Sequence, residues 1–141
     1  MNAPAPANAK TAAVAPINLA AAENLNPEVF ATLSKLGVSI VIVFFGDVKE
    51  GHPATNRGPI QDKLGRDLEG ASAGEYHSTF LHPTQRWFIY HVWDCGKGIA
   101  ALKAGLGKRG LLEYARIFTV EADGALLTWY PATAERIPFA P

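Results

Sequence analysis

The run VSIVIVFF at residues 38–45 constrains this chain more than any other stretch. Both of its alternating sets, Val38/Ile40/Ile42/Phe44 and Ser39/Val41/Val43/Phe45, are largely apolar. Such a strand must be covered on both faces, which places it in the interior of a sheet. Any fold for this chain therefore needs neighbouring strands on each side of residues 38–45 and a covering layer above and below them.

The flanking sequence supplies candidates for those neighbours. Asn26 and Pro27 suit the N-cap and first position of a short helix carrying Val29, Phe30, Leu33 and Leu36, and Gly37 closes it. After a polar loop at 46–59, PIQDKLGRDL reads as a helix over 59–68, with Ile60, Leu64 and Leu68 on one face. EYHSTFL (75–81) and RWFIYHVWD (86–94) flank His82-Pro83-Thr84-Gln85 and form an antiparallel hairpin. A second helix is expected over 99–114, weakened near its middle by Gly105, Gly107 and Gly110. Strands follow at 115–120 and 125–130, and 131–141 reads as a surface tail. Residues 1–25 form an Ala/Pro-rich arm with little apolar surface to offset ordering, so 26–141 is the single domain.

The resulting order, βαββαβ plus one strand, is α+β. It points to a ferredoxin-like antiparallel sheet with helices on one face. Over residues 38–130 this layout resembles the dimeric α+β barrel superfamily, which includes small cofactor-free monooxygenases, muconolactone isomerase and YCII-like proteins. The resemblance implies a homodimer. Two apolar sheet faces but only two main helices point the same way, with packing by the arm as the competing explanation.

Composition narrows the function classes. Lys plus Arg and Asp plus Glu are equal at 13 each, so the basic excess expected of a nucleic-acid binder is missing. No apolar run reaches the ~20 residues needed to span a bilayer. Pro16 and Asn18 interrupt the faintly signal-like stretch at 11–22, which favours a cytoplasmic protein. The lone Cys95 cannot form an intramolecular disulfide and lacks a CxxC partner, so it reads as a small apolar residue. Gly96-x-Gly98-x-x-Ala101 approximates a dinucleotide fingerprint, but it follows a hairpin strand and no doubly wound sheet can follow. It reads as a turn entering a helix. His77, His82 and His91 show no metal-ligand spacing, so neither a metal nor another cofactor is expected.

Polar chemistry is concentrated among aromatic residues in the hairpin. A two-residue turn at Pro83-Thr84 sets Phe80 opposite Trp87, Ser78 opposite Ile89 and Tyr76 opposite His91, on one face with Trp93. The other face then carries His77 opposite Tyr90. On this register His91 is the candidate proton-transfer residue and Tyr76 its phenolic partner. Trp87, Trp93, Phe80, His77 and Tyr90 are candidate substrate contacts for a planar ring. The alternative is a core His–Tyr pair that simply fixes the hairpin. In the 46–59 loop, His52 and Arg57 are further candidate contacts, with Asp47 beside them. The expected function is isomerisation, elimination or cofactor-free oxygenation of a small aromatic or unsaturated oxygenated compound. Non-catalytic capture of a small ligand, or an assembly role for the arm, are the alternatives.

Overall fold

The structure, a computed structural model, describes residues 27–121, 123–133 and 136–137. The N-terminal arm and the expected cap at Asn26 lie outside the described residues. The elements are α1 (Pro27–Lys35), β1 (Ser39–Phe45), α2 (Arg57–Gly70), β2 (Gly74–His82), β3 (Gln85–Val92) and α3 (Cys95–Lys108), followed by a 3-10 turn (Leu112–Tyr114), β4 (Ala115–Val120), β5 (Leu126–Tyr130) and β6 (Arg136–Ile137). The fold is α+β, with one antiparallel sheet in the order β2-β3-β1-β4-β5-β6. This order is compatible with a ferredoxin-like layout. As its sequence demands, β1 is interior, paired with β3 on one side and β4 on the other.

The long helices α2 and α3 cover one face. There Val41, Val43, Phe45, Phe88, Tyr90, Val92 and Ile117 pack against Leu64 and Leu68 of α2 and Leu102 and Leu106 of α3. The opposite face holds Ile40, Ile42, Phe44, Trp87, Ile89, Phe118 and Leu126, with Leu33 of α1, Phe80, Val120 and Ile137 packed against them. None of the seven is more than 6 % exposed. They are already shielded within one chain.

Two departures from the sequence reading have local causes. Helix α3 begins four residues earlier than its apolar periodicity suggests, because the Asp94 side chain accepts the Lys97 amide (3.1 Å) and caps the first turn. It ends at Lys108, where Gly110 takes a left-handed conformation (φ 70°) and the backbone turns towards Leu112–Tyr114. The stretch after residue 130 also contributes a short strand, β6, rather than serving only as a tail.

Glycines set how closely the layers approach. A Cβ at Gly98 would lie 2.5 Å from Val92 Cγ1, and one at Gly105 would collide with Asp67 Oδ2 and lie 3.0 Å from Leu64 Cδ2. The fingerprint-like glycine at 98 is therefore occupied by contact with the sheet. Gly105 lets α3 settle onto α2, where Asp67 accepts a hydrogen bond from Arg109 (2.7 Å).

Candidate functional site

The hairpin turn is as expected, with His82 opposite Gln85, Phe80 opposite Trp87, Thr79 opposite Phe88 and Ser78 opposite Ile89. Beyond Ser78 a β-bulge at His77 inserts one residue and changes every later pair. Tyr76 now faces Tyr90, and Glu75 faces His91. The expected Tyr76–His91 and His77–Tyr90 pairs are both overturned, because one extra residue moves a side chain to the other face.

Tyr76 lies on the helix side. Its ring meets Tyr90 edge-on (5.8 Å between centroids), and its hydroxyl is 2.7 Å from Thr79 Oγ1, which donates to Gln61 Oε1 (2.8 Å). With the threonine proton committed to Gln61, the phenol donates to the threonine. Tyr76 is thus held by a local hydrogen-bond chain under α2 and cannot assist His91. Tyr90 is buried, and burial together with neighbouring Tyr76 pushes its hydroxyl well above the usual value.

His91 lies on the face away from α2 and α3, and its partner there is His77. The two imidazoles stack at 4.3 Å between centroids and 23° between planes, and His77 Nδ1 is 2.8 Å from Ser78 Oγ. Burial lowers the His91 pKa, the neighbouring His77 lowers it further, and Glu75 partly opposes them. His91 Nε2 is buried and has no hydrogen-bond partner among the described residues. A buried polar nitrogen in that state calls for an explanation, and a neutral imidazole with an unused nitrogen is equipped to take a proton.

The expected aromatic walls are split. Trp87 is 1 % exposed, sealed edge-on by Phe44 (4.7 Å) and bonded through its indole N–H to Gln85 Oε1. Phe80 is half-buried across from it. Trp93 is not in the strand, since β3 ends at Val92 and the amides of Trp93 and Asp94 both turn to the Ala73 carbonyl. Its indole is 49 % exposed and donates to the Ser72 carbonyl (2.9 Å). With Tyr76 it lines an open groove of about 710 Å³ between α2 and β2.

His52 stands at a separate place, packed against Tyr114 (5.1 Å) and Phe45 (6.4 Å). Its Nδ1 accepts the Ala54 amide (2.9 Å), which fixes the neutral tautomer with the proton on Nε2. Burial lowers its pKa, Arg86 lowers it further and Asp47 opposes them. This is the behaviour of a loop anchor. The side chains of Arg57 and His82 lie outside the described residues. Burial, helped by Asp94, raises the Cys95 thiol, which disfavours the nucleophilic thiolate. Among the described residues no three His, Cys, Asp or Glu side chains converge as a metal set. None of the described helices is long and apolar enough to cross a membrane.

The two lowered histidines make stability depend on pH in a defined direction. The unfolded chain takes up their protons first, near 6.5, and the folded chain only at lower pH. Their contribution is therefore complete above about pH 6.5 and is lost as pH falls through the folded values. Urea unfolding at pH 7.5 and 5.5 should show lower stability at 5.5. The drop should be smaller in both His91→Gln and His52→Gln, and an unchanged drop in both would reject the assignment.

No protein-family model matches the chain, nor does any curated protein or solved structure. The residues of the site are therefore the whole basis for a functional reading.

Proposed function

We propose that this chain is a small-molecule enzyme in which His91 takes up or relays a proton from a small aromatic or unsaturated oxygenated compound. The carrying observation is the His91 imidazole, held neutral by its surroundings with a buried Nε2 that has no protein partner. His77 takes the place expected of Tyr76. The ring stacked at 4.3 Å is one of the causes that keep the His91 imidazole from taking up charge. Phe80 and Ser78 on the same face would contact the substrate, while buried Trp87 supports the floor. A neutral base of this kind suits isomerisation or elimination through an enol, and it also suits deprotonation ahead of oxygenation.

The strand order supports the ferredoxin-like layout within this reading. A dimeric barrel would place a second copy against the face carrying His91, although most of that face is already covered within one chain.

The test does not require knowing the substrate. Small ketones, enones and hydroxylated aromatics are incubated with the protein in D₂O, and deuterium uptake at carbon is followed by NMR. Exchange above the buffer rate should appear for at least one class. It should fall by about 10²–10⁴-fold in His91→Gln, which keeps the size of the side chain but cannot act as a base. Exchange at the buffer rate throughout, or a fully active variant, would reject the proposal.

A further inference from the structure

The hydrogen bonds of the loop between β1 and α2 converge on His52. Its amide donates to the Lys49 carbonyl (2.9 Å), and its own carbonyl accepts from the Thr55 amide (3.1 Å) and the Thr55 hydroxyl (2.6 Å). Its imidazole Nδ1 accepts the Ala54 amide (2.9 Å). The same imidazole ties the loop to the fold, resting edge-on against Tyr114 of the 3-10 turn and Phe45 at the end of β1. Beside it Ala54 and Val48 are buried in the helix-side core, and the Val48 amide donates to the Thr84 carbonyl (2.9 Å). Between these ties the chain runs exposed through Lys49, Glu50 and Gly51. It leaves β1 through Asp47 in a left-handed conformation (φ 52°) that non-glycine residues seldom take, and turns again at Gly51 (φ 86°).

The Ala54 bond carries a chemical condition. Only an imidazole with a free lone pair on Nδ1 can accept an amide, and protonation puts a second N–H there. The amide of buried Ala54 would then face a donor while shut away from water, a costlier state than an amide opened to solvent. The surrounding groups divide over such a proton. Arg86 of β3 opposes it, Asp47 of the loop itself favours it, and Tyr114 presents only its ring. A charged His52 is therefore at odds with the closed loop and at ease in an open one, where its ring stands in water.

We infer that the 47–56 loop is a pH-sensitive latch: a proton on His52 Nδ1 releases the Ala54 amide, and the loop lifts from Phe45 and Tyr114 while the sheet, α2 and α3 stay folded. The turns at Asp47 and Gly51 are its pivots. The bonds centred on His52 lie within 49–55 and none belongs to the sheet, so the opening is local. The latch is independent of the proton-transfer reading, since Phe45 and His91 lie on opposite faces of the sheet.

Amide hydrogen exchange of the full chain under native conditions, followed by NMR from pH 7.5 to pH 5, provides the test. Each rate is referred to that of an unstructured chain at the same pH. The Ala54 amide should be less protected than that of Val43 in the sheet centre. Its exchange should be insensitive to dilute urea, the mark of an opening that exposes little surface. Its protection should fall by up to about tenfold per pH unit below 6.5, because opening takes up one proton. The fall should level off where the His52 ring proton reports its titration in the folded chain. His52→Asn should abolish the fall, because an asparagine Oδ1 can accept the amide two residues on and does not titrate. Circular dichroism establishes that this variant is folded, and the wild-type profile decides by itself whatever the stability of the variant. Urea sensitivity of Ala54 equal to that of Val43 would overturn the inference, since the loop would then open only with the whole chain. So would protection that is constant with pH in the wild type, or that falls equally in folded His52→Asn.

Discussion

Gly74→Ala should cost about 3 kcal/mol of stability, at the upper end of what one extra methyl in a packed site ordinarily does. The new Cβ would lie 2.5 Å from the His91 carbonyl oxygen and 3.0 Å from Val92 Cα, and neither backbone atom can turn aside as a side chain can. Gly98→Ala introduces the same methyl in a different setting. Its closest contact is Val92 Cγ1 at 2.5 Å, and alanine gains about 1 kcal/mol in helix propensity, so the net cost should be about 1–2 kcal/mol. The two cases separate in double mutants with Val92→Ala. Removing the valine methyls should relieve Gly98→Ala, giving a favourable coupling of about 1–2 kcal/mol. It should do less for Gly74→Ala, where it removes the Val92 Cγ2 contact at 3.0 Å but leaves the two backbone contacts in place. Chemical denaturation of the five variants measures both couplings. Equal couplings would mean that β2 and β3 can part as easily as α3 shifts over the sheet. Because Gly74 presses against the backbone of His91, its alanine variant should also move the His91 imidazole resonances, whereas Gly98→Ala should leave them near their wild-type positions.

The contrast between these glycines shows what could be read from the sequence and what could not. The centre of the sheet was legible because 38–45 is apolar at both parities, and burial on both sides is the only way to keep such a strand from water. The Pro83-Thr84 turn was legible because a short Pro-containing link between two aromatic runs leaves few ways to connect them. The β-bulge was not legible. The local pattern of Glu75-Tyr76-His77-Ser78 satisfies either register. One inserted residue nonetheless separated Tyr76 from His91 and brought His77 to it, so the expected grouping of these residues was overturned. Two polar residues in succession, Tyr76 and His77, at a strand edge were the available hint, since either could face outward. The start of α3 was readable in principle from Asp94, an N-cap residue three positions before Lys97. The glycines at 96 and 98 masked it, and at Gly98 low helix propensity is outweighed by close packing against Val92, a tertiary effect that propensity cannot anticipate.

Replacing Arg109 by methionine should cost about 2 kcal/mol near neutral pH, and the part of this cost that comes from Asp67 should disappear in acid, leaving the smaller part from the Gly105 carbonyl. Arg109 Nη1 donates to Asp67 Oδ2 (2.7 Å) and to the Gly105 carbonyl (2.8 Å), joining α2 to α3 where Gly105 lets them touch. Both side chains are about one-fifth exposed, so the pair is only partly screened by water, while Lys108 at 3.4 Å is 61 % exposed and adds little. Burial by itself would raise the Asp67 carboxyl. The Arg109 hydrogen bond and charge, aided by Lys108, outweigh it and hold the carboxyl below its ordinary value of 3.8. A depressed folded value means that the unfolded chain protonates first as pH falls. The stabilisation is therefore complete above about pH 4 and is lost as pH drops through the folded value. In Arg109→Met the burial effect acts almost alone, so Asp67 should protonate more readily in the folded state. The gap between wild type and variant should accordingly narrow from pH 6 to pH 3. Asp67→Asn supplies the cross-check, because an amide resembles the protonated acid. It should be less stable than wild type at pH 6 and nearly equal to it at pH 3. A cost of Arg109→Met that stays constant with pH would show that the arginine acts through the packing of its stem and not through the carboxylate that α2 presents to it.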